Sequence, residues 1–140
     1  MAFYLLLLLV GPLLAYPPQS TPHTSAPGTS TIDKARSFQA SLNRAVSQND
    51  YKGVSSKISN FFVHDKCTGA DGDQRTFTQD LLRERKLGIV TGARDNGEYI
   101  TYNLNYGNKK MEYKIGSEET NSVPRLLYMA KEQCQGGPFG

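Results

Sequence analysis

Between Glu98 and Gly116 the chain reads EYITYNLNYGNKKMEYKIG, a stretch whose pattern specifies both a fold and a register. Ile100, Tyr102, Leu104 and Tyr106 alternate with Thr101, Asn103 and Asn105; after Gly107-Asn108, Met111, Tyr113 and Ile115 alternate with Lys110, Glu112 and Lys114. Period-two alternation on both sides of a Gly-Asn pair is a β-hairpin, and glycine at the first central position suits a type II′ turn. That loop sets Leu104 opposite Met111, Tyr102 opposite Tyr113 and Ile100 opposite Ile115, leaving one face apolar and the other polar. A slip of one residue would mix the faces, so the pattern selects the register.

The strand before this hairpin extends it into a meander. Ile89 to Arg94 is extended, and Asn96-Gly97 signals a type I′ turn that puts Ala93 opposite Ile100, Thr91 opposite Tyr102 and Ile89 opposite Leu104. Thr91, Gly92 and Ala93 are all small, which admits a helix, a ligand or a strong bend. At the C-terminal end, Pro124 to Lys131 fits a helix with proline in its first turn or an alternating strand. The strand is favoured, because the meander needs a neighbour on its edge.

Helices precede the sheet. From Asp33, the expected N-cap, Ala35, Phe38, Leu42, Ala45 and Val46 form an apolar side against Arg36, Gln39, Asn43 and Gln48. A second stripe, Tyr51, Val54, Ile58 and Phe61, predicts a second helix that leads into a short strand at Phe61-Phe62-Val63. Thr68 to Asp73 is loop. Thr76 and Gln79 have capping-box spacing for a third helix burying Phe77, Leu81 and Leu82 and ending at Gly88. Fold class is therefore α+β, three N-terminal helices on an antiparallel sheet.

At 140 residues there is room for one domain with a real core. Residues 1–15 lie in an apolar run, MAFYLLLLLVGPLLAY, which has the character of a signal peptide and falls short of the ~20 apolar residues of a membrane span. Residues 16–32, rich in Pro, Ser and Thr, form an expected disordered linker open to O-glycosylation, residues 33–134 the domain, and residues 135–140 a flexible tail. The expected location is extracellular. No Asn-X-Ser/Thr sequon occurs. All charge, net +3, falls from Asp33 onward with both signs interspersed, which argues against a nucleic-acid partner. Two cysteines, Cys67 and Cys134, allow a single pairing, and secretion favours that disulfide over two buried thiols. The sequence holds no metal-ligand cluster and no phosphate loop, so neither metal nor cofactor is expected.

The order of these elements, with Phe61-Phe62-Val63 followed by Cys67-Thr68-Gly69 and a single Cys near the C-terminus, resembles the nuclear transport factor 2-like superfamily. Within it the chain resembles small secreted nematode members. The resemblance implies a strongly bent, cone-like sheet around an apolar pocket, lined here by Phe38, Leu42, Phe77, Ile100, Tyr102, Leu104, Met111, Tyr113 and Ile115. It implies a non-catalytic binding domain, for a small apolar ligand in the cone or an extracellular protein on the sheet. The ketosteroid isomerase branch carries a general base a few residues after the same apolar block, where this chain has Asp65; the alternative implied is an isomerase or dehydratase with Asp65 as base. The Tyr on that branch's first helix that donates a hydrogen bond to the oxyanion has no counterpart between Ala35 and Val46. Ile89-Val90-Thr91-Gly92 is loosely similar to the inhibitory loop of cystatins through Val90 and Gly92, the second alternative.

Overall fold

The computed structural model describes residues 29–85, 87–116 and 126–134. The expected signal segment, all but the last four residues of the linker, Pro124 and the 135–140 tail lie outside the described residues. In chain order the elements are α1 (Thr31–Ser47), α2 (Tyr51–Ser55), β1 (Ile58–Asp65), α3 (Gln74–Glu84), β2 (Ile89–Asp95), β3 (Tyr99–Tyr106), β4 (Lys109–Gly116) and β5 (Leu127–Glu132). The strands make a five-stranded sheet in the order β1-β5-β4-β3-β2. Helix α1 lies over β2 and β3, and α3 over β1.

The β3–β4 hairpin has the register its pattern dictates: Leu104 pairs with Met111, Tyr102 with Tyr113 and Ile100 with Ile115. Gly107 has φ +59 and Asn108 is not among the positive-φ residues, the signs of a type II′ turn. The β2–β3 hairpin differs from expectation. Its turn closes on Gly97-Glu98, with Asn96 N donating to Tyr99 O at 2.8 Å, so Ala93 pairs with Tyr102 and not Ile100. A slip of two keeps every side chain on its face, so alternation could not detect it. Thr91 then bulges out, which puts Val90 and not Ile89 opposite Leu104 and leaves Ile89 exposed.

Two further features of the expected sheet are corrected. It is mixed, because β5 pairs antiparallel with β4 but parallel with β1, through Val63↔Met129, His64↔Ala130 and Asp65↔Lys131. A parallel pair needs a long crossover and leaves no turn signature in the sequence; α3 and the meander supply the crossover. Nor is the sheet strongly curled into a cone. It is open, with β1 and β2 at opposite edges and not in contact. Strong curvature is built from bulges and glycine kinks in long central strands. Here the register shifts add residues to β1, β2 or β5 and none to β3 or β4 within their eight continuous pairs.

The helices also start and stop differently. Ser30, not Asp33, caps α1 by accepting from Asp33 N, and Asp73, not Thr76, caps α3 in a reciprocal box with Thr76. In both, the residue at the third helical position had the look of a cap. Helix α3 ends at Arg85 in the left-handed conformation, before Gly88. Helix α2 is five residues long, and Ile58 belongs to β1; the apparent stripe splits, leaving Phe61 87% exposed. Ile58 and the run Phe61-Phe62-Val63 favour a strand once Leu127 N donates to Lys57 O and pairing begins. The C-terminal segment is the favoured strand, but its alternation is broken at Tyr128, so Leu127 and Ala130 are the buried residues.

One core joins these layers. Phe38 and Leu42 of α1 and Phe77 of α3 meet Ile100, Tyr102, Leu104, Met111, Tyr113 and Ile115 of the hairpin. Each fully buried aliphatic or aromatic side chain contributes about 1.5–3 kcal/mol. Gln39, expected on the polar side of α1, is buried at 2% exposure and accepts a hydrogen bond from Tyr102 Oη at 2.9 Å.

Candidate functional site

A cavity of about 250 Å³ opens where α3, the end of β1 and the turn end of the β3–β4 hairpin converge. Phe77 and Leu81 of α3 with Tyr106, Met111 and Tyr113 of the sheet make its apolar walls. His64, Lys66, Thr68, Asp80, Glu84, Lys109 and Glu132 supply polar groups.

The phase of β1 sends His64 inward. Phe62 and His64 are buried while Phe61 and Val63 point to solvent, as alternate residues of a strand must. His64 is pinned through its backbone: its N donates to Gly72 O at 2.8 Å and its O accepts from Gly72 N at 2.9 Å. A side chain at Gly72 would bring its Cβ to 3.2 Å from His64 Cβ, so glycine permits this close pairing. The imidazole packs edge-on to Phe77 at 4.9 Å. Neither ring nitrogen has a hydrogen-bond partner among the described residues, although both are buried. Nε2 stands 3.7 Å from Glu132 Oε1, too long for a hydrogen bond. Burial pushes the imidazole pKa below 6.5, Lys66 and Lys109 push the same way, and Glu132 and Asp80 oppose them. At neutral pH the ring is uncharged.

Glu132 links this site to the disulfide. Its Oε1 lies 3.5 Å from Lys109 Nζ, and its Oε2 accepts from Cys67 N at 3.3 Å. Cys67 and Cys134 are bonded, with Cα atoms 5.4 Å apart, joining the chain just beyond β1 to the chain just beyond β5. The staple therefore ties together the ends of the two strands that carry His64 and Glu132. On the apolar side, Tyr113 Oη donates to Tyr106 Oη at 3.0 Å. Burial raises the Tyr106 phenol to about 12 and the Tyr102 and Tyr113 phenols well above 10, so all three stay protonated.

The residues singled out in the sequence separate into four groups. Phe77, Met111 and Tyr113 line this cavity; Phe38, Leu42, Ile100, Tyr102, Leu104 and Ile115 lie in the packed core and are not among its walls. Asp65 sits on the opposite side of β1 from His64, half exposed, with its Oδ2 3.7 Å from Lys131 Nζ. It does not line the cavity. Val90 and Gly92 lie within β2, paired with Leu104 and Asn103, and not at a hairpin tip. Sequence reasoning missed His64, Tyr106 and Glu132 as cavity residues. For His64 and Tyr106 the signal was present: Phe62 facing inward carries His64 with it, and Tyr106 continues the Ile100-Tyr102-Leu104 face. Among the described residues no cluster of three or more His, Cys, Asp or Glu could hold a metal ion, and no helix is long and apolar enough to cross a membrane.

No protein-family model matches the chain, and no curated protein matches it. Solved structures do. An NTF2-like protein from Cytophaga hutchinsonii ATCC 33406 superposes with a TM-score of 0.56 at 8% identity, over 74% of this chain and 97% of that one. An NTF-2 like protein of unknown function from Shewanella oneidensis MR-1 gives 0.53 at 6% identity, over 74% and 98%. A protein of unknown function with a cystatin-like fold from Nostoc punctiforme PCC 73102 gives 0.51 at 10% identity, over 74% and 91%. Element order, sheet topology and these superpositions together assign the chain the NTF2-like, or cystatin-like, fold.

Proposed function

We propose that the domain binds a small, largely apolar molecule in the cavity between α3 and the sheet. The observation that carries this reading is His64: a buried imidazole with two unused hydrogen-bonding positions, set in a concave site walled by Phe77, Leu81, Met111 and Tyr113. A buried polar group left without a partner costs about 1–3 kcal/mol, which a bound ligand would recover. Binding is favoured over turnover, because Asp65 lies outside the cavity beside Lys131. The test is native mass spectrometry of the protein from its own source beside a Met111→Trp variant, whose indole fills the cavity. A retained small molecule, lost in the variant, supports the reading; the same adduct on both proteins refutes it.

The extracellular setting belongs to the same proposal, supported by the apolar run over residues 1–15 and the Cys67–Cys134 bond. Likeness to small secreted nematode proteins stands beside it as a resemblance of element order. The intact denatured mass checks the setting: loss of the first 15 residues agrees with secretion, and their retention does not. A second reading, recognition of an extracellular protein, has one observation behind it. Phe61 is 87% exposed and Val63 39% exposed on edge strand β1, so replacing both with serine would abolish capture of such a partner while leaving the cavity intact.

A further inference from the structure

The charges around the cavity select the kind of molecule it holds. Lys66 and Lys109 act on His64 against Glu132 and Asp80, so the imidazole sits among two positive and two negative groups of opposing effect. Several of these charges are already committed: Asp80 Oδ1 accepts from Arg83 Nη2 at 2.6 Å, and Glu132 pairs with Lys109 at 3.5 Å. A carboxylate brought to His64 would meet Glu132 3.7 Å from Nε2; an ammonium would meet Lys109, which borders the same carboxylate. Either ion would also lose hydration on entering a site walled by Phe77, Leu81, Met111 and Tyr113, where Glu132, Lys109 and Asp80 already have partners.

A neutral imidazole offers one N–H donor and one lone pair. Both are unused here. Hydroxyl and amide groups also donate and accept, so they complement that ring whichever nitrogen carries the proton. The cavity, about 250 Å³, falls below the roughly 300–1,000 Å³ of sites for drug-sized ligands. Its occupant is correspondingly small.

Resting on the cavity reading, we propose that the ligand is a small uncharged molecule with an apolar or aromatic body and a single hydroxyl or amide group that hydrogen-bonds His64. The body packs on Phe77, Met111 and Tyr113, and the polar group points toward β1.

Three probes of matched body and different head separate the alternatives: phenethyl alcohol, phenylacetate and phenethylamine, titrated by ligand-observed NMR at neutral pH. The full chain is compared with Met111→Trp, Leu81→Trp, His64→Phe and His64→Gln. Phenethyl alcohol is expected to bind about tenfold tighter than either ion, the scale of one net neutral hydrogen bond. His64→Phe should remove that preference, and His64→Gln, which again pairs a donor with an acceptor, should restore most of it. If either ion binds tightest, and the two tryptophan variants still block it, the head-group assignment fails while the cavity reading stands. If no probe binds, or binding ignores both tryptophan variants, the two fall together.

Discussion

His64 carries its own pH signature. Burial lowers its folded pKa below the ordinary 6.5, so between those two values the unfolded chain holds more of the proton. The stability contributed by keeping the ring neutral is complete above pH 6.5 and declines as pH falls from there through the folded value. Thermal melts from pH 8 to pH 5 should show this decline in the native protein and lose it in His64→Phe. Asp73 acts at lower pH: hydrogen bonds from Thr76 depress its carboxyl below 3.8, so its contribution persists above that value and is lost in stronger acid. A second residue-level prediction concerns Gly88. A Cβ there would lie 2.3 Å from Leu104 Cδ1 and 3.0 Å from Gln39 Nε2, while its N and O pair with the Asn43 side chain. Gly88→Ala should cost about 1–3 kcal/mol by overpacking, read as a lower urea midpoint; a change within a few tenths would show that α1 and β3 yield freely.

At the scale of elements, the β1–β5 pair is held by parallel pairing and by the Cys67–Cys134 bond across a sequence separation of 67. Closing a loop of that length stabilises the fold by about 4 kcal/mol in the chain-entropy model. The double Cys67→Ser, Cys134→Ser variant should therefore unfold at markedly lower urea and bind cavity ligands less tightly, since the segment whose backbone N at position 67 donates to Glu132 is no longer tethered. Unchanged binding in a folded double mutant would separate the staple from the site. The elements differ in how openly the sequence announces them. The β3–β4 hairpin was legible because Ile100, Tyr102 and Leu104 contrast with Thr101, Asn103 and Asn105, and any single-residue slip destroys that contrast. The β2–β3 register was not, because Asn96, Gly97 and Glu98 accommodate two turns offset by one residue, whose registers differ by two and keep the same faces. The parallel contact of β1 with β5 left no local trace, being set by packing between segments more than sixty residues apart. Helix α2 was over-read because Val54 and Ile58 are both buried at helical spacing, though only Val54 is helical.

For the whole molecule, the open mixed sheet changes where a ligand can sit. A strongly wrapped cone would have placed Phe38, Leu42, Ile100 and Leu104 on the walls of a central pocket; in this fold they pack against one another. The cavity moves to one end, between α3 and the turn end of the central hairpin, where β1 contributes His64 and β5 contributes Glu132. Strand alternation then puts Asp65, which follows the apolar block, on the far side of β1 and turns His64, one residue earlier, into the cavity. Shape and phase together decide which neighbour is functional. The most direct test is a two-bond proton–nitrogen NMR spectrum of the imidazole side chains, recorded while phenethyl alcohol is titrated into the full chain. The prediction is that His64 is neutral at pH 7, titrates below 6.5, and shifts its ring nitrogens in proportion to bound probe, while His23, the chain's other histidine, does not respond. An imidazole that titrates at 6.5 and ignores the probe would contradict both the buried, unpaired His64 and the ligand assigned to it.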